Sequence, residues 1–497
     1  MEPIPIPFRF DPESFQINAP EELIPAVEAV IRSILPNAQF GTGRKLEVNV
    51  RWTDGQLIVQ VVLDGLTEWS YTDREIQDER YDEDDRKRRA RERVRLGVFT
   101  VIGEAYDVAP SPWGILTGVR PTKLVHKMID RNFSSGELKR ILGNVYGLVD
   151  EKIALLLDVV EKQRKFFHPN PNQPIGIYVG IPFCPTRCSY CSFAAYPLES
   201  HGHLLEPFFE SLCVEIREIG VLLKELGVTV ESVYLGGGTP TTIQGQKLAY
   251  LLELVRTWLV TSETCEFTVE AGRPETLSRE TLHILADSGI NRISINPQSM
   301  HDETLCRVGR QHTVRDVITA FNDARDVGIP MINMDIILGL PGEKFSHVRH
   351  TLDMIGDLQP DNLTVHSLAL KRASRLRKSP EYLNIAQEQG EQMAHIAADY
   401  CSRWGLAPYY LYRQRYILSD LENIGYARPG TESVYNVQMM EERQTIIALG
   451  GGGITKLVAP DLSLVRLVNP KCPATYSQQL ESSLPSKLCQ IRQHLVV

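Results

Sequence analysis

Beyond residue 174 the chain alternates short apolar runs with longer stretches whose apolar positions recur every three or four residues. The short runs are Ile175–Val179, Ser232–Leu235, Glu266–Ala271, Arg292–Asn296, Met331–Leu338 and Asn362–Leu370, with helical patterns such as Leu204–Leu226 and Lys247–Leu259 between them. Strands separated by helices return parallel to one another through right-handed crossovers. Six such units predict an α/β fold, a parallel sheet two units short of a closed eight-stranded barrel. Earlier in the chain, Lys45–Trp52 and Gln56–Asp64 flank Thr-Asp-Gly, a hairpin signal. A mostly helical run then opens at Trp113-Gly-Ile-Leu-Thr-Gly-Val-Arg-Pro-Thr and ends near Phe167, and Pro169-Asn-Pro-Asn-Gln-Pro174 reads as a linker. Past about 375 the pattern turns helical with short apolar runs. The expected division is an α/β accessory domain over 1–170, the partial (βα)6 barrel over 171–375, and a mostly helical C-terminal domain over 376–497.

The stretch from Thr72 to Arg95 interrupts this pattern with charge, Asp-Glu-Asp-Asp running into Arg-Lys-Arg-Arg. At helical spacing Asp82–Arg86, Glu83–Lys87, Asp84–Arg88 and Asp85–Arg89 are acid-before-base pairs one turn apart. The expectation is a solvated, self-paired helix and not a nucleic-acid patch. A net charge of -9 argues the same way for the whole chain. No apolar window of eighteen residues occurs, so no membrane span is expected. Met-Glu-Pro-Ile-Pro-Ile-Pro lacks the basic flank and apolar core of a signal peptide. Of nine cysteines, Cys213, Cys265, Cys306, Cys401, Cys472 and Cys489 are scattered, as reduced thiols of a cytoplasmic protein would be.

The other three are not scattered. Cys184, Cys188 and Cys191 lie within eight residues, in Tyr-Val-Gly-Ile-Pro-Phe-Cys-Pro-Thr-Arg-Cys-Ser-Tyr-Cys. Thiolates suit iron–sulfur clusters, and a set of three leaves one iron open to a small molecule. A structural zinc site needs a fourth Cys or His, which the following Ser192-Phe193-Ala194-Ala195 does not supply. The C-x3-C-x2-C pattern resembles the fingerprint of radical S-adenosylmethionine (SAM) enzymes, which implies a [4Fe–4S] cluster and SAM as cofactors. In parallel α/β folds ligands collect past the C-terminal ends of the strands. Polar residues sit there: Gly236-Gly237-Gly238-Thr239 after the second strand, Glu270 ending the third, Gln298 past the fourth, Arg310 on the helix after it, and Asp335 in the fifth. Each alone could equally make a structural hydrogen bond.

Together they resemble the oxygen-independent coproporphyrinogen III oxidase-like family over about residues 172–460, most closely its HemZ-type branch, whose extended form fits the N-terminal domain. The resemblance implies SAM contacts from Tyr178, Gly237, Gly238, Thr239, Glu270, Gln298, Arg310 and Asp335. It adds apolar contacts from Ala369 and from Ile454, which follows Gly450-Gly-Gly-Gly453. The Tyr409–Gln414 segment also looks like that branch. Two positions depart from the family's oxidases: Gly180 stands where they carry a His, leaving an expected void, and Phe193 where they carry a fourth Cys. The heme-chaperone branch favours a His-Asn pair that is Tyr435-Asn436 here. The implied function is oxidative decarboxylation of coproporphyrinogen III to protoporphyrinogen IX, with a flavodoxin- or ferredoxin-like electron donor and a separate electron acceptor. Alternatives are a non-catalytic heme or tetrapyrrole carrier and a radical SAM enzyme with another substrate. Arg187, between the cysteines, is a candidate for the substrate's carboxylates.

Overall fold

The computed structural model describes residues 13–496 apart from 109–110, 117, 119, 194, 370–375, 377–386 and 415–416. The first residues of the chain, Thr117, Val119, Ala194, the expected strand end Leu370 and the expected boundary residue 375 therefore lie outside the described residues. The chain divides into two compact units, Met1–Asp158 and Val159–Val497.

The first unit holds a five-stranded sheet of β1 (Ser14–Asn18), β2 (Gln39–Phe40), β3 (Arg44–Thr53), β4 (Gln56–Leu63) and β5 (Thr67–Asp73), in the spatial order β2-β1-β3-β4-β5. The expected hairpin is β3–β4, closed by Asp54 and Gly55 at φ 48° and 74°, the left-handed pair that a two-residue hairpin turn requires. Leu57, Val59, Val61 and Leu63 alternate onto one face of β4 and are fully buried. The helices α1 (Ile24–Ile34) and α2 (Glu83–Ala105) share their core, through Val27, Ile31, Val94, Val98 and Ile102 among others. The helices α3 (Pro121–Asp130) and α4 (Ser135–Asn144) follow, then α5 (Asp150–Gln163), within which the division at 158 falls.

The charged stretch is not the solvated helix expected. Glu83–Lys87 pairs as anticipated, at 2.6 Å. Asp85, however, is buried and meets Arg88, Lys127 and Arg131, while Arg89 and Arg93 are buried and both donate to Asp73 at 2.7 Å. Asp73 ends β5, a strand the apolar pattern did not announce. The basic face of α2 is turned toward it, so charges that look solvated in sequence are paired inside the unit.

In the second unit β6 (Ile175–Ile181) and the two-residue strands β7 (Phe183–Cys184) and β8 (Tyr196–Pro197) lead into α6 (Leu198–His201) and α7 (Leu205–Glu225). Then come β9 (Val230–Gly237), α8 (Gly245–Leu259), β10 (Glu266–Val269), α9 (Arg279–Asp287), β11 (Arg292–Ser294), α10 (Asp302–Arg307), α11 (Val314–Asp326), β12 (Met331–Leu338), α12 (Phe345–Leu358) and β13 (Asn362–Ser367). Six of the strands are parallel and adjacent in the order β6-β9-β10-β11-β12-β13, the partial barrel expected.

The C-terminal stretch carries the expected helices, α13 (Gln387–Arg403), α14 (Val434–Glu441) and α15 (Pro473–Leu495). It also carries five strands that join the barrel's own sheet: β14 (Ala407–Tyr412), β15 (Asn423–Ala427), β16 (Ile446–Gly450), β17 (Ile454–Val458) and β18 (Leu464–Val468). Of these, β15 pairs antiparallel to β13, and β16 parallel to β6. An open parallel sheet leaves unpaired backbone groups along both edges, and these strands satisfy them. The stretch is therefore continuous with the barrel and not a unit of its own. The Pro-rich segment is likewise no free linker, because Thr445 donates from its N–H to Pro171 O (2.8 Å) and shares a 2.6 Å hydrogen bond with Asn172 Oδ1. Fully buried Glu215 on α7 accepts from Lys487, Tyr476 and the Gly450 N–H, locking α15 and the Gly450–Gly453 turn to the barrel.

Candidate cluster and SAM site

The cysteine loop springs from the end of β6. Its two ends are held together by the β7–β8 pair and by Tyr196 N donating to Pro182 O. Ser189 N bonds Val308 O and Thr186 Oγ1 bonds Gly309 O, tying the loop's middle to the residues after α10. Cys184 and Cys188 are buried and Cys191 is half-buried. Burial pushes the Cys184 thiol up to about 11, with the Thr239 hydroxyl 3.5 Å away pulling the other way. Burial raises Cys191 as well. Thiolates on this loop therefore need a positive partner, which iron provides.

Two guanidinium groups flank it. Arg273 donates through Nη1 to Cys188 Sγ at 3.3 Å and through Nη2 to Thr186 Oγ1 at 2.7 Å. Arg310 donates to Tyr190 OH and to the carbonyls of Gly272 and Asn296. Arg310 was expected on the helix; it lies in the loop beyond it, because Gly309 at φ 79° ends α10. Burial works against its charge, and nearby Tyr190 and Cys188 more than compensate, so it stays firmly protonated. Arg273 escaped the sequence reading. It lies three residues past Glu270 with no periodic signal.

The parallel register puts the second group on one side of the sheet. Tyr178 pairs with Tyr234, and Tyr234 with Thr268, two residues before Glu270. Glu270 accepts from Tyr234 OH at 2.7 Å and from Gly237 N at 3.2 Å. Burial lifts its carboxyl to about 7 against those two bonds, with Asp335 adding to the rise. Asp335 goes the other way. Burial opposes its charge, but His366 (3.6 Å) and Asn333 (2.8 Å) hold it below the usual range. His366 in turn lies 3.3 Å from Tyr412 OH. The same interior thus contains one carboxyl near its titration point and one kept ionised.

The glycine turn has a different reason than the one expected. Gly238 N and Thr239 N donate to Ile181 O and Phe183 O, and a Cβ on Gly238 would run into the Phe183 carbonyl. Only glycine allows the turn to lie against the strand that carries the cysteines. Tyr178 stacks on Tyr435 (6.0 Å, 16°), which stacks on Tyr234 (4.2 Å, 18°). Tyr435 arrives on α14, whose start is pinned by Ser433 and Val434 donating to Glu266. The void expected at Gly180 does not exist: a Cβ there would stand 2.8 Å from Gly451 O and 3.2 Å from the Tyr178 ring. The Gly450–Gly453 turn occupies that space, since β16 pairs with β6 through Gly450 and Gly180.

Gln298 adopts φ 67° and bridges to Ile336, with its N–H on Asp335 O. Ala369 bridges to Ile417 beyond β13. Ile454 opens β17, two strands removed from Tyr178 and toward the opposite end of the sheet from Ala369, so the expected contacts do not gather in one place. Tyr178, Gly237, Glu270 and Asp335 are linked through Tyr234 and their mutual fields; Gln298 bridges to the strand of Asp335; Gly238, Thr239 and Arg310 serve the cysteine loop; Ala369 and Ile454 lie by opposite flanks of the six-stranded parallel sheet.

No group of three His, Cys, Asp or Glu side chains among the described residues is gathered tightly enough for a single metal ion. The three thiols are instead spread along one loop. A polar ligand beside them is suited by two buried side-chain oxygens with no hydrogen-bond partner, Gln298 Oε1 and Asn296 Oδ1. The residues present therefore fit a cluster on Cys184, Cys188 and Cys191 with a polar small molecule at the strand ends.

Residues 178–355 match the family described as the Radical SAM superfamily. The chain is 41% identical over 401 residues to the oxygen-independent coproporphyrinogen-III oxidase-like protein HemZ of Bacillus subtilis (strain 168), covering 80% of each chain. It is 31% identical over 278 residues to the heme chaperone HemW of the same organism, covering 54% of this chain and 67% of that one. Among solved structures, coproporphyrinogen III oxidase (HemN) from Escherichia coli has the same fold. The TM-score is 0.52 at 22% identity, over 65% of this chain and 72% of that chain. A partial barrel with three thiols on the loop after its first strand defines a radical SAM protein. Within that superfamily the chain belongs to the oxygen-independent coproporphyrinogen-III oxidase-like family. Its cofactors are those of the superfamily, a [4Fe–4S] cluster and SAM.

Proposed function

We propose that the protein converts propionate side chains of coproporphyrinogen III to vinyl groups without oxygen, giving protoporphyrinogen IX. Each conversion removes one hydrogen atom from the β-carbon, and loss of CO2 and of one further electron leaves the vinyl group. The observation that carries this reading is the extent of the likeness to the oxidase-like relative: 401 residues, well past the superfamily match at 178–355. When bound, cluster and SAM together would supply a carbon radical able to take a hydrogen atom from the β-carbon of a propionate.

The chain's own part is holding and shielding. Cys184, Cys188 and Cys191 hold the cluster. Tyr178, Gly237, Gly238, Thr239, Glu270, Gln298, Arg310 and Asp335 form the polar cradle for SAM, flanked by Ala369 and Ile454. Asp335, kept ionised by His366, answers a cationic group, while the stacked rings of Tyr178, Tyr435 and Tyr234 wall off water from below. Arg187 on the cysteine loop is suited to a substrate carboxylate. A flavodoxin- or ferredoxin-like donor supplies electrons and a separate acceptor removes them. The protein works in the cytoplasm, and among the described residues no helix is long and apolar enough to cross a membrane.

A second reading, a heme or tetrapyrrole carrier, is favoured by the HemW likeness and by the glycine turn that fills the space beside Gly180. Anaerobic incubation of the reconstituted protein with coproporphyrinogen III, SAM and a reductant decides between them. Vinyl product with CO2 supports catalysis, stoichiometric heme binding without CO2 supports carriage, and absence of both defeats the two readings.

A further inference from the structure

We propose that Arg273 sets the reduction potential of the cluster, acting through Cys188 as a positioning and tuning residue. Its guanidinium is buried, 3% exposed, and all its nitrogens are committed. Nη1 reaches Cys188 Sγ and Thr186 O, both at 3.3 Å; Nη2 reaches Thr186 Oγ1 at 2.7 Å; Nε reaches Glu275 Oε1 at 2.8 Å. Glu275 Oε2 lies 2.9 Å from Nδ1 of buried His312. The result is a chain His312–Glu275–Arg273–Cys188 that aims a fixed positive charge at a sulfur from behind.

The physical consequence follows from charge alone. Reduction adds one electron and no proton, and the added negative charge spreads onto the sulfurs. Hydrogen bonds to those sulfurs and the local net charge are among the levers that set cluster potentials. A charge-assisted hydrogen bond in a water-poor surrounding favours the more negative state, so the potential rises and the cluster accepts an electron from a weaker reductant. Glu275 pairs directly with the guanidinium, 2.6 Å from Nη2 and 2.8 Å from Nε, and so offsets part of its charge, while Nη1 remains the donor that reaches the sulfur. Two other cations lie nearby, Arg187 on the loop itself and Arg310, but among the described residues neither donates a hydrogen bond to a cysteine sulfur: Arg310 donates to Tyr190 and two backbone carbonyls.

A merely structural Arg273 would brace Thr186 and leave the potential alone. The test is an anaerobic redox titration of the reconstituted full chain with dithionite and mediators, followed by EPR, beside iron and sulfide analysis. Arg273→Met should bind iron like wild type and shift the one-electron equilibrium toward the oxidised form at least tenfold, a fall of about 59 mV. Arg273→Lys, which keeps charge but loses the fork, should fall between. Full iron with an unchanged midpoint in Arg273→Met overturns the proposal. If that variant loads poorly, Arg273→Gln, which retains a donor for Thr186, is titrated with the same two outcomes; failure of both to hold iron also overturns it, in favour of a bracing role. The proposal rests on the three cysteines as ligands, and Cys188→Ala in the same reconstitution tests that separately: full iron there sinks the ligand assignment and with it the route from Arg273 to the cluster, whereas iron lost there beside an unchanged midpoint in Arg273→Met sinks the role of Arg273 alone.

Discussion

Two buried arginine–carboxylate constellations, one in each unit, are built from the same parts and do opposite things. In the first unit Arg89 and Arg93 converge on Asp73, and Tyr81 takes a further donor of Arg89. Every partner there belongs to the unit's own framework. In the second unit Arg273 and His312 converge on Glu275, but one donor of Arg273 is left pointing at a thiol. The difference lies in what stands at the open end of the pair. A buried ion pair closed on itself is a device of folding, whereas one with a donor directed at a reactive sulfur can act on its chemistry.

The comparison can be broken most decisively at the thiol. Cys188→Ala should abolish the brown absorbance of the reconstituted protein, while Cys306→Ala, at an exposed position outside the loop, should leave it intact. Equal loss from both would end the distinction between the motif and the scattered cysteines. Next, Asp73→Ala should destabilise the first unit by about 3–5 kcal/mol in chemical denaturation, because two buried guanidinium groups lose their carboxylate. Iron binding by the second unit should be unaffected, and a parallel loss of iron would show that the first constellation is not confined to folding. Arg89→Glu should act in the same direction, contrary to what a solvated helix would predict.

Smaller effects sharpen the contrast between the site's two carboxyl groups. Asp335→Ala should weaken SAM binding by about 1–3 kcal/mol with iron content unchanged, as titration calorimetry of the reconstituted protein would show. Glu270 should make SAM binding pH-dependent. Its carboxyl is raised to about 7 by burial, so the folded protein keeps a proton there that the unfolded chain releases near 4.5. The stability this contributes is present below pH 4.5 and is lost as pH rises to about 7. A cationic ligand displaces that proton, so affinity should increase as pH rises through 7, and Glu270→Gln should flatten the dependence; an unchanged profile would remove Glu270 from the site. Least of all, Glu83→Ala should leave the denaturation midpoint essentially unchanged, since its pair with Lys87 is exposed.

The sequence by itself determined the elements whose signals are local. Short apolar runs and period-3.6 patterns located the six barrel strands and their helices within a few residues, because each strand of a doubly covered sheet must be apolar and each helix must show one apolar stripe. The three cysteines stood out because their spacing is short, and Glu270 and Asp335 because they are acids in or just past apolar strands, whereas Tyr178 was named through the family resemblance alone. What the tertiary structure decided was long-range pairing. Whether Arg89 meets its neighbour one turn away or Asp73 across the unit depends on which face of α2 turns inward, and charge patterns do not say. That the last strands complete the barrel's edges, that Gly450–Gly453 fills the space beside Gly180, and that Arg273 reaches Cys188 all depend on contacts between residues 85 or more positions apart in the chain or on sheet order. No periodicity records such contacts, since they are chosen by the packing of whole elements and not by any residue's neighbours along the chain.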